Sequence, residues 1–433
     1  MSREILLYAA RWLAGSNRMR VSLFVLAIWA GLVSAHAAQE LAKAATFTSF
    51  PLAGKPERLL SETSARFTPG KNEWVWISDA EHMVWDESRE QFLADSTRPM
   101  CLAKDRIPAG RKFELFPYHY FRRKDYTTLG NRLLNYRLVA RNETSRTVTL
   151  AISGQGMTRD WDHYKAWAGA LAGDNATTVT LAPGDTHVLW EAKGLQPDLP
   201  WSAIVFGSAD GDLQVADYCY LREDAPPLQS LAQMPDLAWP PYLLASFTRG
   251  SADWNSARVE ILPNTRTAQG DLPVSAVAGA AQSVALAYSP GGPITTLSEY
   301  KAVSPTFARD SLVVKDPVSS YTHHFFGGNY PIVYDASTAF VNDTTQTVQV
   351  RLWICSNDRF NVDSFVGVWF TGARRMAWAR VPAMAKNNRW NPASVTIAPG
   401  QRETLAAVLV PLGSRWGGFV ASWDVEPMKG RNQ

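Results

Sequence analysis

The sequence predicts an all-β protein of two tandem, internally duplicated β-sandwich domains, Ig-like or jelly-roll-like, after an N-terminal signal peptide. The first observation is the spacing of short apolar runs. Stretches rich in β-branched and aromatic residues, such as EWVWIS (73–78) and TVQVRLWIC (347–355), are separated by Gly, Pro, Asn or Asp. Separation roughly every 8–12 residues is typical of a sandwich or barrel. Helical periodicity is scarce, and its best candidates are 164–173 and 363–379.

Residues 1–37 have the features of an export signal. Arg11, Arg18 and Arg20 form a positive n-region before an uncharged run of 14 residues (21–34), and Ala35-His36-Ala37 fits the small-x-small cleavage pattern. The run is shorter than the roughly 20 apolar residues that span a bilayer. An uncleaved anchor is the alternative, because the chain stays fairly apolar after residue 37. Cleavage predicts a secreted, periplasmic or cell-surface protein without a membrane span.

Removal of the leader also changes the net charge. The chain has 43 Lys and Arg and 40 Asp and Glu, of which the leader holds four and one, so 39 of each remain. A neutral surface of mixed charge gives no electrostatic reason to expect nucleic acid or an anionic membrane as a partner.

The second observation is an internal repeat. Residues 141–150 (RNETSRTVTL) share Asn, two Thr and Val with residues 341–350 (VNDTTQTVQV) at a shift of 200 positions. The shared pattern predicts an incoming strand, an Asn-x-Thr turn whose side chains bond their own backbone, and an outgoing strand.

Two further matches follow in the same order. TVTLAPGD (178–185) matches SVTIAPGQ (394–401) at a shift of 216, and LPWSAIVFG (199–207) matches SRWGGFVAS (414–422) at 215. Ordered matches with slowly drifting offsets indicate a duplicated domain.

The repeat divides the chain. The prediction is a first domain at 40–222, a Pro-rich linker at 223–242 and a second domain at 243–433, called below the first half, the linker and the second half. The segment 222–244 holds five prolines and no periodic pattern, which suits a semi-extended linker.

Aromatic residues supply the best candidate for a binding surface. The chain has 17 Trp, and one stretch, DWDHYKAWAG (160–169), places rings beside acids. The candidate binding residues in this stretch are Asp160, Trp161, Asp162, His163, Tyr164 and Trp167. Planar rings stack on sugars while acids bond hydroxyl groups, so the stretch suits carbohydrate. The alternative is that the large rings fill the sandwich cores.

Histidine and cysteine offer two further candidate sites. His119, His323 and His324 are the candidate ligands for a transition metal, although neighbouring side chains on a strand point to opposite faces. The alternative is ordinary loop or strand histidines. Cys101 and Cys219 fall in the same half and are the candidate pair for a disulfide in an oxidising compartment.

The functional prediction is a secreted or surface-associated protein with a non-catalytic binding or structural role, in adhesion, extracellular assembly or glycan contact. The sequence lacks a Gly-x-Ser-x-Gly elbow and a phosphate-binding glycine loop, and no cofactor is predicted. The predicted partners are polysaccharide, other surface proteins or further copies of the chain. The alternative is a carbohydrate-active enzyme or its accessory module, with Asp160, Asp162 or His163 as acid or base.

Overall fold

A computed structural model describes fourteen stretches of the chain. They are residues 65–80, 100–120, 133–160, 163–173, 175–220, 249–279, 281–286, 312–314, 324–326, 332–356, 364–370, 377–381, 390–411 and 419–428. The predicted signal peptide and linker lie outside the described residues.

The described residues are mostly β-strand, which confirms the all-β prediction. The strands of the first half are β1 (Ala65–Pro69), β2 (Glu73–Ala80), β3 (Met100–Ile107), β4 (Lys112–His119), β5 (Leu134–Arg141), β6 (Val148–Thr158), β7 (Thr177–Leu181), β8 (Thr186–Leu195), β9 (Trp201–Ala209) and β10 (Leu213–Tyr220). One α-helix, α1 (Tyr164–Ala172), lies between β6 and β7 and confirms the helical prediction at 164–173.

The second half continues the strand pattern. Its strands are β11 (Arg249–Ala252), β12 (Ser256–Ile261), β13 (Leu272–Pro273), β14 (Gln282–Leu286), β15 (Leu312–Val314), β16 (His324–Phe326), β17 (Val333–Asp335), β18 (Thr338–Val341), β19 (Val348–Ser356), β20 (Ser364–Phe370), β21 (Ala377–Val381), β22 (Trp390–Ile397), β23 (Arg402–Leu405), β24 (Ala407–Pro411) and β25 (Phe419–Pro427). Two short 3-10 helices, Pro263–Thr265 and Val274–Ala276, flank β13.

The helical prediction at 363–379 is wrong, because β20 and β21 occupy this stretch as an antiparallel pair. Val366 and Val368 are both fully buried. Their two-residue spacing and branched side chains fit a strand that buries one face.

Two sheets form most of the first half. Sheet I has the order β3-β10-β5-β8, and sheet II has the order β11-β2-β4-β9-β6-β7. Strands β2 and β4 run parallel, whereas the other described pairs in these sheets are antiparallel. Alternating side chains of both sheets bury a shared core that contains Trp76, Phe113, Leu138, Leu150 and Val215.

The second half contains sheet III, with the order β1-β12-β17-β24-β20-β21, and sheet IV, with the order β14-β25-β19-β22. A three-stranded sheet, β13-β18-β23, and a two-stranded sheet, β15-β16, complete it. Its core contains Tyr334, Phe340, Leu352 and Trp423, and the same cluster reaches Trp167 on the outer face of sheet II.

Sheets II and III each contain a strand from the opposite side of the predicted linker. Strand β1 pairs with β12 at the edge of sheet III, and β11 pairs with β2 at the edge of sheet II. The two halves therefore share hydrogen-bonded sheets, although the boundary at 223–242 stays a prediction.

Strand registers in the two halves coincide under the shifts found in the sequence. Val148 pairs with Leu181 in β6–β7, and Val348 pairs with Ile397 in β19–β22, at shifts of 200 and 216. The same shifts relate the register of β6–β9 to that of β19–β25. Strand order agrees as well, since β4-β9-β6-β7 corresponds to β14-β25-β19-β22.

Asn142 closes the predicted Asn-x-Thr turn with its buried side chain. Its Nδ2 donates to the carbonyl oxygens of Arg146 at 2.7 Å and Leu181 at 2.9 Å. Its Oδ1 accepts from the backbone N–H of Thr144 at 2.9 Å and from the Thr144 hydroxyl at 2.7 Å. One amide therefore uses both donors and accepts twice, which ties the turn to β7.

Asn342 repeats this arrangement. Its Nδ2 donates to Gln346 O and Ile397 O, both at 2.8 Å, and its Oδ1 accepts from the N–H and hydroxyl of Thr344 at 3.0 and 2.7 Å. Each distance is within 0.1 Å of its counterpart at Asn142.

Candidate functional site

The candidate carbohydrate-binding stretch forms the corner between β6 and α1. Two glycines of β6 allow the helix to lie directly on the strand. A Cβ at Gly154 would stand 2.0 Å from Ala170 O, and one at Gly156 would stand 2.0 Å from Ala166 O. Because real Cβ atoms do not approach oxygen so closely, the helix position depends on these glycines.

Trp167 lies inside this contact. It is 1% exposed, and its ring centroid is 5.8 Å from that of Phe206. The prediction that Trp167 is a ring for stacking on sugar is therefore wrong for this structure, because α1 buries the indole against sheet II. Trp161 and Asp162 lie outside the described residues. Tyr164 begins α1, and its side chain lies outside the described part of the molecule.

Asp160 and His163 are placed at this corner, before and at the start of α1. Oδ1 of Asp160 accepts from the Thr158 hydroxyl, and Oδ2 accepts from Lys165 Nζ, both at 2.7 Å. His163 is 8% exposed, and its Nδ1 lies 3.2 Å from the Ser202 hydroxyl oxygen. Asp160 and Lys165 remain about half exposed, so they form the accessible part of the candidate site, called here the Asp160–Lys165 corner.

His119 has a different environment from the one that the metal prediction requires. Its side chain is completely buried, and Nε2 lies 2.5 Å from Asp217 Oδ2. The Ser78 hydroxyl donates to the same carboxylate oxygen at 2.8 Å. The imidazole lies nearly parallel to the rings of Tyr136 and Trp201, with centroids 4.6 and 5.5 Å away, and those two ring centroids are 5.3 Å from each other. These five residues are called the His119–Asp217 cluster.

The side chains of the two other predicted metal ligands lie outside what the structure describes, so these ligands stay a prediction. His323 lies outside the described residues, and His324 begins β16, whose side chains are likewise not described. Within the described ranges, no group of three or more His, Cys, Asp or Glu side chains is arranged to hold a metal ion.

The His119–Asp217 cluster combines buried titratable side chains with polar atoms that lack a hydrogen-bond partner among the described residues. Burial raises the pKa of Tyr136 well above its ordinary value, and Cys219 and Asp217 raise it further. Burial and Asp217 likewise raise the pKa of the Cys219 thiol. Both groups therefore keep their protons. His119 Nδ1, Asp217 Oδ1, Tyr136 OH and Trp201 Nε1 have no hydrogen-bond partner among the described residues.

Sequence reasoning did not find Ser78 or Asp217. One signal was present for Asp217, because an acid stands in the middle of LQVADYCY, a run in which six of eight residues are apolar. A charged side chain inside a buried strand requires a partner. The partners come from β2 and β4 of the facing sheet, and no local pattern identifies them.

The predicted disulfide between Cys101 and Cys219 is not formed, and both residues remain buried thiols. They lie on the paired strands β3 and β10, but Cys101 stands opposite Tyr218, the neighbour of Cys219. Adjacent side chains alternate between faces. Cys101 therefore packs with Val139 and Tyr218 on one face of sheet I, whereas Cys219 shares the other face with Tyr136.

A surface cleft of about 720 Å³ lies at the Asn142 turn, opposite the Asp160–Lys165 corner. Side chains of both charges line it, including Lys104, Arg106, Glu143 and Asp212. Arg106 and Asp212 form an ion pair across part of the cleft.

Comparisons with known proteins give no family. No protein-family model matches the chain, and no curated protein matches it. Among solved structures, the PBSX exported protein XepA is 11% identical over 76% of this chain and 87% of that chain, with a TM-score of 0.15. A tandem CBM22 domain pair of Paenibacillus barcinonensis Xyn10C is 10% identical over 88% and 94%, with a TM-score of 0.14.

Lactobacillus farciminis oxalate decarboxylase is 9% identical over 90% of each chain, with a TM-score of 0.12. TM-scores this low carry no argument about fold or function. No helix among the described residues has the length and apolar character needed to cross a membrane.

Proposed function

We propose that the chain is an exported, secreted or surface-associated protein of two duplicated β-sandwich domains that acts by binding or assembly rather than by catalysis. The observation that carries this proposal is the agreement of strand register between the two halves at shifts of 200 and 216. The matching hydrogen bonds of Asn142 and Asn342 support it. Duplication of a sandwich repeats a surface and so increases avidity for a repetitive ligand.

The proposed binding surface of the first half is the end of the sandwich at which β2, β4, β6 and β10 finish. These ends meet because β2 and β4 are parallel and because Ser78 and His119 reach Asp217 of β10. Strands β2, β4 and β10 end here at Ala80, His119 and Tyr220, whereas the described turns at the opposite end are short. Binding residues of sandwiches concentrate at the ends of strands held by a rigid scaffold.

The Asp160–Lys165 corner belongs to this end. Its carboxylate and ammonium groups are exposed, so both can bond the hydroxyl groups of a polysaccharide. We propose polysaccharide as the ligand class on this basis. The neutral balance of the sequence after residue 37 supports an uncharged ligand rather than a polyanion.

The test measures retention of the purified chain on insoluble cellulose, chitin and peptidoglycan, together with release of soluble sugar. We expect retention on at least one polymer without release. Asp160→Asn should weaken retention about tenfold, as expected for loss of a charged hydrogen bond of about 1.5 kcal/mol. Asp210→Asn is the matched control, because Asp210 is exposed at the opposite end, where it accepts from Thr149 N–H.

Two results would contradict the proposal. Release of soluble sugar by the pure chain would contradict a non-catalytic function and favour the alternative, a carbohydrate-active enzyme. Equal loss of retention in the Asp160→Asn and Asp210→Asn variants would show that the Asp160–Lys165 corner is not part of the binding surface.

A further inference from the structure

Ser78 and Asp217 bring a hydroxyl and a carboxyl group into contact inside the core of the first half. Ser78 lies on β2 of sheet II and Asp217 on β10 of sheet I, so their contact bridges the two facing sheets. Both residues are 0% exposed, and their side-chain oxygens are 2.8 Å apart. They are separated by 139 positions in the sequence.

The arrangement differs from that of a hydrolase triad. In a triad the imidazole lies between the acid and the hydroxyl nucleophile. In this protein the carboxylate lies in the middle, because Ser78 Oγ and His119 Nε2 both contact Asp217 Oδ2. Complete burial also leaves no path for a substrate. The groups that the serine hydroxyl can react with are therefore internal.

We propose that Ser78 and Asp217 condense to an ester that joins the two sheets covalently. The hydrogen bond to Oδ2 holds Ser78 Oγ beside Cγ, the carbon that carries this oxygen. Groups held in contact in this way react at effective concentrations that reach about 10⁵ M or more. The dry core favours the ester, because water is the product that leaves and is excluded afterwards.

The atoms of the step balance without a co-reactant. Before the step, one proton lies between Asp217 Oδ2 and His119 Nε2, which are in contact. Ser78 Oγ attacks Cγ and forms one C–O bond, while the imidazole holds the carboxyl proton. The intermediate then breaks the Cγ–Oδ2 bond, and Oδ2 leaves as water with the proton returned by His119 and the proton from Ser78. No group is oxidised or reduced.

The surroundings favour an uncharged product. The rings of Tyr136 and Trp201 both pack nearly parallel to the His119 ring, and His119 Nε2 contacts the carboxyl group of Asp217. A buried imidazolium–carboxylate pair carries a large desolvation cost. The ester contains no carboxylate, so no such pair can form in the product.

The ester would close a covalent loop between the second strand and the last strand of the first half. A loop of this length restricts the conformations of the unfolded chain and so stabilises the folded state. If the chain is pulled from points before residue 78 and after residue 217, the ester would carry the force. The segment between these two residues would then stay folded. The ester does not depend on the proposed binding function, since each can fail alone.

The experiment is mass spectrometry of the purified full chain and of its tryptic peptides. We expect the intact mass to be about 18 Da below the sequence value, which is the mass of one water. Peptides 72–89 and 194–222, which contain Ser78 and Asp217, should be recovered as one cross-linked species. Brief treatment with alkali should hydrolyse the ester and separate them.

Ser78→Ala is the matched control, because it removes the nucleophile and leaves the His119–Asp217 contact. This variant should have the full sequence mass and give the two peptides separately. His119→Gln should form the cross-link more slowly in folded protein. Recovery of the two wild-type peptides only as separate species of full mass overturns the proposal. A loss of about 18 Da confined to one peptide, from dehydration or a succinimide, overturns it as well.

Discussion

We expect replacement of Asn142 by alanine to be among the most destabilising single substitutions in the first half. Asn142 is 0% exposed and takes part in four hydrogen bonds. A net value of about 0.5–1.5 kcal/mol for each bond gives a loss of about 2–6 kcal/mol. The buried Leu181 carbonyl loses one of its donors, which places the expected value in the upper part of that range.

The assay is urea unfolding followed by tryptophan fluorescence, with the midpoint read for each transition. Asn342→Ala should lower the stability of the second half by a similar amount, because its bonds have the same lengths within 0.1 Å. Asn142→Asp should be at least as harmful as Asn142→Ala, since a carboxylate oxygen would face two carbonyl oxygens.

Asn175→Ala is the control for this series. Asn175 is exposed, and its Nδ2 donates to Gln155 O over a long distance of 3.4 Å. Its replacement should change the free energy of unfolding by less than about 0.5 kcal/mol. An Asn142→Ala variant indistinguishable from this control would refute the reasoning that the buried amide holds the turn.

Three further predictions concern single positions. Burial raises the pKa of Glu114, so the contribution of Glu114 to stability should be fully present below its ordinary value of 4.5 and be lost as pH rises through the raised value; Glu114→Gln should remove this part of the pH dependence in thermal melts. Gly156→Ala should lower stability by about 2–4 kcal/mol, because the new methyl group would overlap Ala166 O; unchanged urea unfolding would contradict this. Arg351→Met should cost about 1–2 kcal/mol by leaving Asp424 without its bidentate partner, and Asp424→Asn should cost less.

Local physics made several features predictable from the sequence. Alternating branched and aromatic side chains identified the all-β class, and Asn-x-Thr identified both turns, because an Asn side chain bonds backbone groups within a few residues. The same local reasoning failed at residues 363–379. Apolar residues there satisfy a helical period as well as a strand period, and only pairing with neighbouring strands decides between them.

Tertiary structure decided what the side chains do. The indole of Trp167 is buried because two glycines of β6 admit α1, and Cys101 and Cys219 are kept apart by the alternation of faces. The contact between His119 and Asp217 joins two residues that are 98 positions apart in the sequence.

The sequence by itself determined the all-β class and the repeated turns, because these depend on interactions within a few residues. Only the tertiary structure decided that β1 and β11 cross between the halves and that Ser78 meets Asp217. Such contacts arise from the packing of whole sheets. Their free energy comes from burial and pairing between distant segments, which no short stretch of sequence records.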